Sequence, residues 1–264
     1  MLSEAARDFC MIKRDFFKVY RGSAHIQEVV PCGTYHTMET AGIHSLARAN
    51  PIYHNRYDAT LSGVRCTIYE GDINHYWIDS MKNPGSAQPF YPTWLFSAYM
   101  LALAAKRSGC TQIIDVGSGD GRIALCGRML GMDACSIEID EPLASLQADI
   151  AEHIGTTLDV RCADAATFDY ASLGFDAPAV FTGGLPQMGD LLAAAVVRGV
   201  PRAEEARFVL AGSHPRPGQG TSPDRYGWGP LIQKFGLRTR WIISLPTVWT
   251  FDQSRETPYI CASP

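Results

Sequence analysis

The stretch Gln112-Ile-Ile-Asp-Val-Gly-Ser-Gly-Asp-Gly-Arg-Ile123 joins a short β-rich run to a loop with glycine at every second position. Such a loop lets the backbone approach a ligand closely, and a helix that follows it directs its N-terminus at the ligand. Ala134-Cys-Ser-Ile-Glu-Ile139 has the pattern of a second strand, and Glu138 lies near its end. A carboxylate at that position accepts hydrogen bonds from a ribose diol. The stretch therefore predicts a site for a nucleoside-containing ligand.

Helices and strands alternate on both sides of this stretch. Helices are predicted at 93–106, 122–130 and 141–154, and strands at 112–116, 134–139, 159–163, 179–182 and 207–212. Strands separated by helices form βαβ units, so we expect an α/β fold with a doubly wound, mostly parallel sheet of seven strands. Residues 238–251 and 258–262 are β-rich with no helix between them. They are expected to complete the sheet as an antiparallel hairpin.

The chain changes character near residue 85, which divides it into an N-terminal extension (1–85) and a core domain (86–264). The extension is predicted to contain a helix at 3–20 with Phe9, Ile12, Phe16 and Val19 on one face, a short helix ending at 50, and a β-hairpin of 64–69 with 73–78. Asn83-Pro-Gly-Ser86 has the composition of a linker. This arrangement predicts a second, smaller α+β unit in front of the sheet.

Composition limits the classes of function. The 264 residues are 46% apolar and carry 23 basic and 27 acidic side chains, a net charge of -4, so we expect no nucleic-acid partner. The longest apolar run, 95–105, is too short to span a bilayer, and Glu4, Arg7 and Asp8 stand where a signal peptide is apolar. Eight cysteines without a CxxC pair, several in apolar runs (Cys126, Cys162, Cys261), indicate buried thiols in a reducing cytoplasm. His36, His44 and His54 lack metal-ligand spacing, so no metal is expected.

Two cofactor classes use a glycine loop of this kind, and the neighbouring residues discriminate between them. Dinucleotide enzymes use GxGxxG, whereas here Arg122 stands where the last glycine is expected. Asp115 precedes the loop and would repel a diphosphate, but it would pair with the α-ammonium group of a methionine moiety. With these residues the chain resembles the class I S-adenosylmethionine (SAM) methyltransferases over residues 89–264.

This resemblance implies roles for particular residues. Asp115 would hold the ammonium group, Glu138 the ribose, and Asp164 the adenine amine, although Asp164 also suits a helix cap. The full set of implied cofactor-binding residues is Pro92, Thr93, Asp115, Gly117, Ser118, Gly119, Gly121, Arg122, Glu138, Ile139, Asp164, Ala165, Thr182 and Gly183.

One subgroup is more similar than the rest. Gln88-Pro-Phe-Tyr-Pro-Thr93, the glycine loop and Ser136-Ile-Glu-Ile-Asp140 resemble seven-strand protein-lysine N-methyltransferases. In that group the Pro-Thr segment folds over the methionine end of the cofactor, which implies this role for Pro92 and Thr93. The alternative for Thr93 is a plain helix N-cap.

The sequence departs from the family after the fourth strand. Amino methyltransferases often carry Asn/Asp-Pro-Pro-aromatic there, whereas this chain reads Phe181-Thr-Gly-Gly-Leu-Pro-Gln187. The departure argues against a nucleobase or amide nitrogen as the methyl acceptor and leaves lysine, a small amine or an oxygen nucleophile open. Candidate helpers for the acceptor are Tyr91, Thr182, His214 and Tyr226, with Gln187 as another orienting group.

The sequence thus predicts a SAM-dependent methyltransferase that acts on protein lysine or a small molecule. A catalytically idle SAM-binding module and a nucleotide-dependent oxidoreductase are the alternatives. Because every predicted cofactor contact lies after Gln88, the extension is expected to form a lid on the substrate side. The alternatives for the extension are packing behind the sheet and a dimer contact, and the oligomeric state is left open.

Overall fold

A computed structural model of the chain describes residues 2–82, 89–184, 186–201, 204–212, 227–246 and 256–264, with only the backbone for 186–188. The predicted linker at 83–86, the domain boundary at 85, and the side chains of Gln187, His214 and Tyr226 lie outside the described residues. The same holds for Gln88 and for the end of the predicted strand at 247–251.

The N-terminal segment contains three helices and five strands. These are α1 (Leu2–Val19), β1 (Ile26–Pro31), β2 (Thr34–Tyr35), β3 (Met38–Glu39), α2 (Ala41–Ala49), β4 (Tyr53–Leu61), β5 (Val64–Gly71) and α3 (Asn74–Lys82). The predictions of α1 and of a short helix ending at residue 50 are confirmed. Phe9, Ile12 and Phe16 are buried as expected, but Val19, at the last position of α1, is exposed.

The predicted hairpin of 64–69 with 73–78 is wrong. β5 pairs instead with β4, through a two-residue turn in which Ser62 and Gly63 have φ values of 49° and 76°. Positive φ at both turn residues matches the right-handed twist of paired strands. After β5 the chain enters α3, because the carboxylate of Asp72 accepts a hydrogen bond from the amide of Asn74 (2.7 Å). β1 pairs with the other edge of β5, which gives a three-stranded antiparallel sheet.

The rest of the chain forms the predicted α/β core. Its elements are α4 (Leu95–Arg107), β6 (Gln112–Val116), α5 (Arg122–Met129), β7 (Asp133–Glu138), α6 (Glu141–His153), β8 (Asp159–Cys162), β9 (Ala179–Thr182), α7 (Pro186–Gly199), β10 (Arg207–Ala211), α8 (Gly229–Lys234), β11 (Arg238–Pro246) and β12 (Glu256–Ser263), with a short 3-10 helix at Tyr170–Leu173. The strands form one seven-stranded sheet in the order β11-β12-β10-β9-β6-β7-β8.

The pairing directions confirm the predicted sheet. β6 to β10 are parallel, β12 runs antiparallel to β10, and β11 runs antiparallel to β12, so the C-terminal hairpin also lies where the sequence predicts it. From β6 the chain moves outward through β7 and β8, then returns to β9 and continues in the other direction. Such a reversal leaves a crevice at the carboxyl ends of the two central strands.

The N-terminal segment shares an apolar core with the sheet. Phe9 of α1 contacts Trp94 and Phe96 at the start of α4, with ring centroids 6.1 and 4.8 Å apart. The same cluster includes Val29 of β1 and Phe181 of the central sheet. Residues of α1 also pack on β11, where the Cys10 thiol approaches the carbonyl of Ser244, and Arg14 pairs with Glu256 at the start of β12.

A buried ionic network joins the two parts. The guanidinium of Arg122 donates to the carboxylates of Glu28 (2.7 Å) and Asp120 (2.7 Å), and all three side chains are at most 3% exposed. Arg122 also donates to the carbonyl of Thr93 and to the hydroxyl of Tyr53 (3.3 Å).

The carboxylates of Glu28 and Asp120 also accept hydrogen bonds from groups other than Arg122. The second oxygen of Glu28 accepts from the amide of Leu95 (2.9 Å), so Glu28 caps α4, and the prediction of Thr93 as the N-cap is wrong. Asn50, at the end of α2, donates to Asp120 (2.8 Å). The network therefore fastens β1, α2 and β4 to the glycine loop and to the first turns of α4 and α5.

We expect Arg122→Met to lower the free energy of unfolding by about 3–5 kcal/mol, because it leaves two buried carboxylates without their cation. Arg128→Met is the matched control, since Arg128 lies on the same helix but pairs with the exposed Asp133. Urea unfolding followed by circular dichroism measures both variants. Equal stability of the two variants would contradict this role for Arg122.

Candidate functional site

The glycine loop begins where β6 ends. Gly117, Gly119 and Gly121 have φ values of 62°, 58° and 72°, a region of backbone conformation that favours glycine. Gly121 is the residue before α5, so the loop turns directly into the helix N-terminus. Gln147 of α6 holds the loop by donating to the Ser118 hydroxyl (2.8 Å) and to the Gly119 carbonyl (2.7 Å).

Two side chains that the sequence analysis did not identify close over this loop. A Cβ atom at Gly119 would lie 2.6 Å from the ring of Phe90, and one at Gly121 would lie 2.8 Å from the side chain of Gln147. Both contacts join residues at least 26 positions apart, so local sequence patterns do not predict them. The second and third glycines are therefore required by close packing as well as by backbone conformation.

A cavity of about 420 Å³ lies beside the loop, at the carboxyl ends of the central strands. Its volume is in the range of small-molecule sites. The candidate residues that line it are Tyr91, Pro92, Thr93, Asp115, Gly117, Ser118, Gly119, Arg122, Glu138, Ile139, Asp164, Ala165, Thr182 and Gly183. Gly121 is not among the lining residues. The structure thus brings nearly all of the predicted cofactor residues together.

The cavity is acidic. Asp115, Asp120, Glu138 and Asp164 line it, and the guanidinium of Arg122 is held by Asp120 and Glu28. A cationic ligand is therefore favoured over a diphosphate at this site.

Asp115 is a buried carboxylate at the glycine loop, and no described residue gives it a cationic partner. It is the most deeply buried of the cavity's carboxylates that lack such a partner. It is 4% exposed and accepts one hydrogen bond, from the amide of Ala124 (3.2 Å). Burial raises the pKa of Asp115 to about 8, and the carboxylates of Asp120 and Glu138 act in the same direction. A ligand cation beside Asp115 would offset the free-energy cost of ionising this buried carboxyl group.

Glu138 is oriented by the backbone. One of its oxygens accepts from the amide of Gly119 (2.7 Å), and the other from the amides of Ile139 (2.9 Å) and Asp140 (3.1 Å). Burial raises the pKa of Glu138 while these three amides act to lower it. A carboxylate has about four lone-pair positions, so one remains for a further donor.

The prediction of Asp164 as a helix cap is wrong, because residues 165–167 form a turn and no helix begins there, whereas its cofactor role stays a prediction. The carboxylate of Asp164 accepts from the amide of Ala166 (2.9 Å) in this turn, and the residue is exposed at the edge of the cavity.

Hydroxyl groups also line the cavity. Tyr259, on β12, is 6% exposed, and its hydroxyl lies 3.5 Å from that of Thr93. The hydroxyl of Thr182 is buried and has no hydrogen-bond partner among the described atoms. Tyr91 accepts a hydrogen bond from the indole of Trp77 on α3. Tyr259 was not identified from the sequence, since only the pairing of β12 with β10 brings it to the cavity.

The histidines and cysteines singled out in the sequence do not form a metal site among the described residues. His36 contacts the carboxylate of Asp8 (2.8 Å), and His44 contacts the hydroxyl of Tyr69 (2.8 Å). Within the ranges that the structure describes, no three His, Cys, Asp or Glu side chains are grouped as metal ligands, and no helix there is long and apolar enough to cross a membrane. The expectation that Cys162 is buried is wrong, because β8 is an edge strand and this thiol is exposed.

Comparison with known proteins gives matches in structure alone. No family model matches the chain, and no curated protein sequence matches it. Magnesium protoporphyrin IX methyltransferase from Synechocystis PCC 6803, solved with bound S-adenosylhomocysteine, is 11% identical with a TM-score of 0.48, covering 64% of this chain and 82% of that one.

Two further solved structures have similar scores. Mitomycin 7-O-methyltransferase is 15% identical (TM-score 0.48; 64% of this chain, 53% of that chain). The tRNA (uracil-54, C5)-methyltransferase of Pyrococcus abyssi, in complex with S-adenosylhomocysteine, is 16% identical (TM-score 0.47; 66% and 40%). These likenesses concern the fold alone.

The pKa of Asp115 predicts how stability depends on pH. The folded chain holds a proton on Asp115 up to about pH 8, whereas the unfolded chain releases it near pH 4. The folded state thus binds more protons between these values, and its stability falls as the pH rises through this window. We expect ligand-free Asp115→Asn to melt above the wild type at pH 8, by roughly 2–4 °C per kcal/mol of relief.

The difference in melting temperature should shrink toward pH 4 to 5, as measured by circular dichroism. Asp133→Asn, which removes an exposed carboxylate at the start of β7, is the control and should change little at either pH. A melting difference for Asp115→Asn that is constant across the pH range would contradict the buried-proton account.

Proposed function

We propose that this chain binds SAM in the cavity beside the glycine loop and transfers its methyl group to an acceptor. This proposal rests mainly on the buried carboxylate of Asp115. The same cavity contains three further carboxylates, and the arginine that lines it, Arg122, already pairs with Asp120 and Glu28. SAM has a sulfonium and an ammonium group against one carboxylate, so its net charge is positive. A dinucleotide has a negative diphosphate, and this site would repel it.

The residues present fit such a ligand. Asp115 would bind the ammonium group, Glu138 the ribose hydroxyls and Asp164 the adenine amine, as the resemblance implies. The glycines of the loop leave room for the backbone to approach the methionine end. Bound SAM supplies a methyl group that is already activated on sulfur, so the protein has mainly to align the acceptor.

The hydroxyl groups of the cavity support acceptor binding. Burial raises the pKa of Tyr259, so this hydroxyl stays neutral and acts as a hydrogen-bond donor and acceptor. Together with Thr93 and Thr182 it gives the acceptor polar partners within an otherwise aromatic and aliphatic wall. An amine acceptor must enter in its neutral form, because its lone pair attacks the methyl carbon.

The methyl acceptor is a protein lysine or a small molecule in this proposal. The Pro92-Thr93 segment and the glycine loop support the lysine subtype, whereas Phe181-Thr-Gly-Gly184 lacks the amide side chain that many amino methyltransferases use. Small-molecule O- or N-methylation fits the same cavity. Tritiated SAM incubated with a cell lysate, fractionated into protein, nucleic acid and small molecules, distinguishes these acceptors. SAM binding without any labelled fraction would indicate an idle binding module.

The lid role is proposed for α3 and the segment 89–93. Ser80 of α3 lines the cavity and accepts from the amide of Phe90 (3.0 Å), the residue that covers Gly119. The rest of the extension contributes Glu28 and Asn50 to the buried network and apolar residues to the shared core. Deletion of 1–80 would therefore remove structural support as well as the lid, and a point substitution in α3 is the sharper test.

Calorimetry with SAM tests the cofactor assignment. At pH 7 free Asp115 is mostly protonated, and a ligand ammonium favours its carboxylate, so we expect binding to release a proton. Titrations in two buffers of different ionisation enthalpy measure this release. Asp115→Asn should abolish it and weaken binding by about 10- to 100-fold, the worth of one hydrogen bond to a charged group.

Asp133→Asn is the control for the titration and should bind like the wild type. NAD should not bind at comparable concentrations. Wild-type SAM affinity in Asp115→Asn, or tighter binding of NAD than of SAM, would refute the cofactor proposal.

Trp77→Ala tests the lid. This change removes the hydrogen bond to Tyr91 and the ring contact between the two residues, whose centroids lie 6.5 Å apart. We expect a SAM dissociation constant within about threefold of wild type and a turnover at least tenfold lower with the labelled acceptor, since α3 would no longer be held at the cavity. Formation of S-adenosylhomocysteine measures turnover.

Trp241→Ala is the matched control, because Trp241 donates one hydrogen bond to Ser108 on the far side of the core domain. Unchanged turnover in Trp77→Ala would remove α3 from the acceptor site and leave the cofactor proposal intact.

A further inference from the structure

A second cavity, of about 750 Å³, lies on the N-terminal segment between α2 and the outer face of the three-stranded sheet. It shares no lining residue with the cavity beside the glycine loop. Arg48 of α2, Arg56 of β4 and Arg65 of β5 line it, and so do His44 and two carboxylates, Glu39 and Asp58, so that three guanidinium groups outnumber two acids. Three elements of the fold thus bring three guanidinium groups to one cleft, which we call the arginine cleft.

Two of these guanidinium groups have no acidic partner within the described ranges. Arg48 donates to the neutral hydroxyl of Ser45 (3.0 Å), and Arg56 forms no hydrogen bond or ion pair with any described residue. Arg65 pairs with Asp58 (2.8 Å), whose other oxygen accepts from Thr67 (2.9 Å). The cleft therefore presents unused positive charge on a chain whose net charge is negative.

Protection of a sheet edge explains only part of this arrangement. β4 is an edge strand, and charged side chains on an edge discourage pairing with other chains. That account covers Arg56 and Asp58, but it does not cover Arg48, which lies on a helix. It also leaves unexplained why the charges surround a concave space.

We propose that the arginine cleft binds a phosphate-bearing ligand. Guanidinium groups bind phosphate oxygens in pairs, through two parallel hydrogen bonds, and they remain charged at every physiological pH. Burial lowers the pKa of His44, so this imidazole is neutral at pH 7 and the arginines carry the attraction.

The arginine cleft is distinct from the proposed SAM site. Tyr53, at the start of β4, contacts Arg122, and Asp58 lies five residues further along the strand, about 17 Å away at ~3.3 Å per residue. The proposal therefore does not rest on methyl transfer, and its test does not require turnover.

Calorimetric titration of the full chain with inorganic pyrophosphate, at low salt and with saturating S-adenosylhomocysteine to fill the other cavity, tests this site. We expect sub-millimolar binding that weakens as salt is added. Arg56→Gln should weaken it at least fivefold. Asp58→Asn should strengthen it severalfold, because it releases Arg65 and removes a negative charge.

Arg238→Gln is the matched control, since Arg238 is an exposed arginine on β11, the edge strand of the large sheet. It should leave pyrophosphate binding unchanged. All three substitutions are exposed, and equal melting temperatures will establish that the fold is intact. No binding at 1 mM, or the same affinity in Arg56→Gln, Asp58→Asn and Arg238→Gln, would overturn the proposal.

Two further titrations distinguish the sources of the phosphate, and both start from confirmed pyrophosphate binding. A nucleoside triphosphate that binds more tightly than pyrophosphate identifies a free nucleotide. Oligoribonucleotides whose affinity rises with length identify a nucleic-acid strand. Repeating the pyrophosphate titration without S-adenosylhomocysteine keeps the result independent of the SAM proposal.

Discussion

The ion pairs of Arg122 with Glu28 and Asp120 are the constraint on which the rest of the structure depends. Burying three charges is costly, and the cost is offset only when every donor and acceptor finds a partner. Here the partners come from β1, α2, β4, the glycine loop and the segment before α4. A change in any of these elements leaves a charge unpaired. The conformation of the glycine loop is thus set partly by residues that precede it by more than 60 positions.

Stability and the proposed function make opposite demands on Asp115. In the ligand-free chain its burial disfavours the charged carboxylate, and an amide of the same size would suit the fold better. A ligand with an ammonium group converts this cost into affinity. A carboxylate that destabilises the ligand-free protein and increases the affinity for a ligand is typical of a binding site. The neighbouring network follows the opposite logic, since its charges compensate each other within the chain.

The sequence predicted the features that local patterns encode. The βαβ alternation, the glycine loop and the spacing of Glu138 after Gly117 depend on residues close in the chain, and the structure confirms the sheet they predict. The hairpin was predicted wrongly because 73–78 has apolar residues with either period, and the capping of α3 by Asp72 decided for helix. Phe90, Tyr259 and Glu28 were missed because tertiary contacts bring them to the site, across 94 residues between Glu28 and Arg122.

The packing of α1 on β11 has a consequence for how the protein is made. Contacts such as that of Cys10 with Ser244 join residues 234 positions apart. At about 5–20 residues per second, a ribosome needs roughly ten to fifty seconds to synthesise the intervening chain. During that time the apolar face of α1 has no β11 to cover it and is a candidate for chaperone binding. The docking of α1 is therefore expected to wait until β11 has been synthesised, and a truncation that removes β11 would affect a helix 234 positions earlier in the chain.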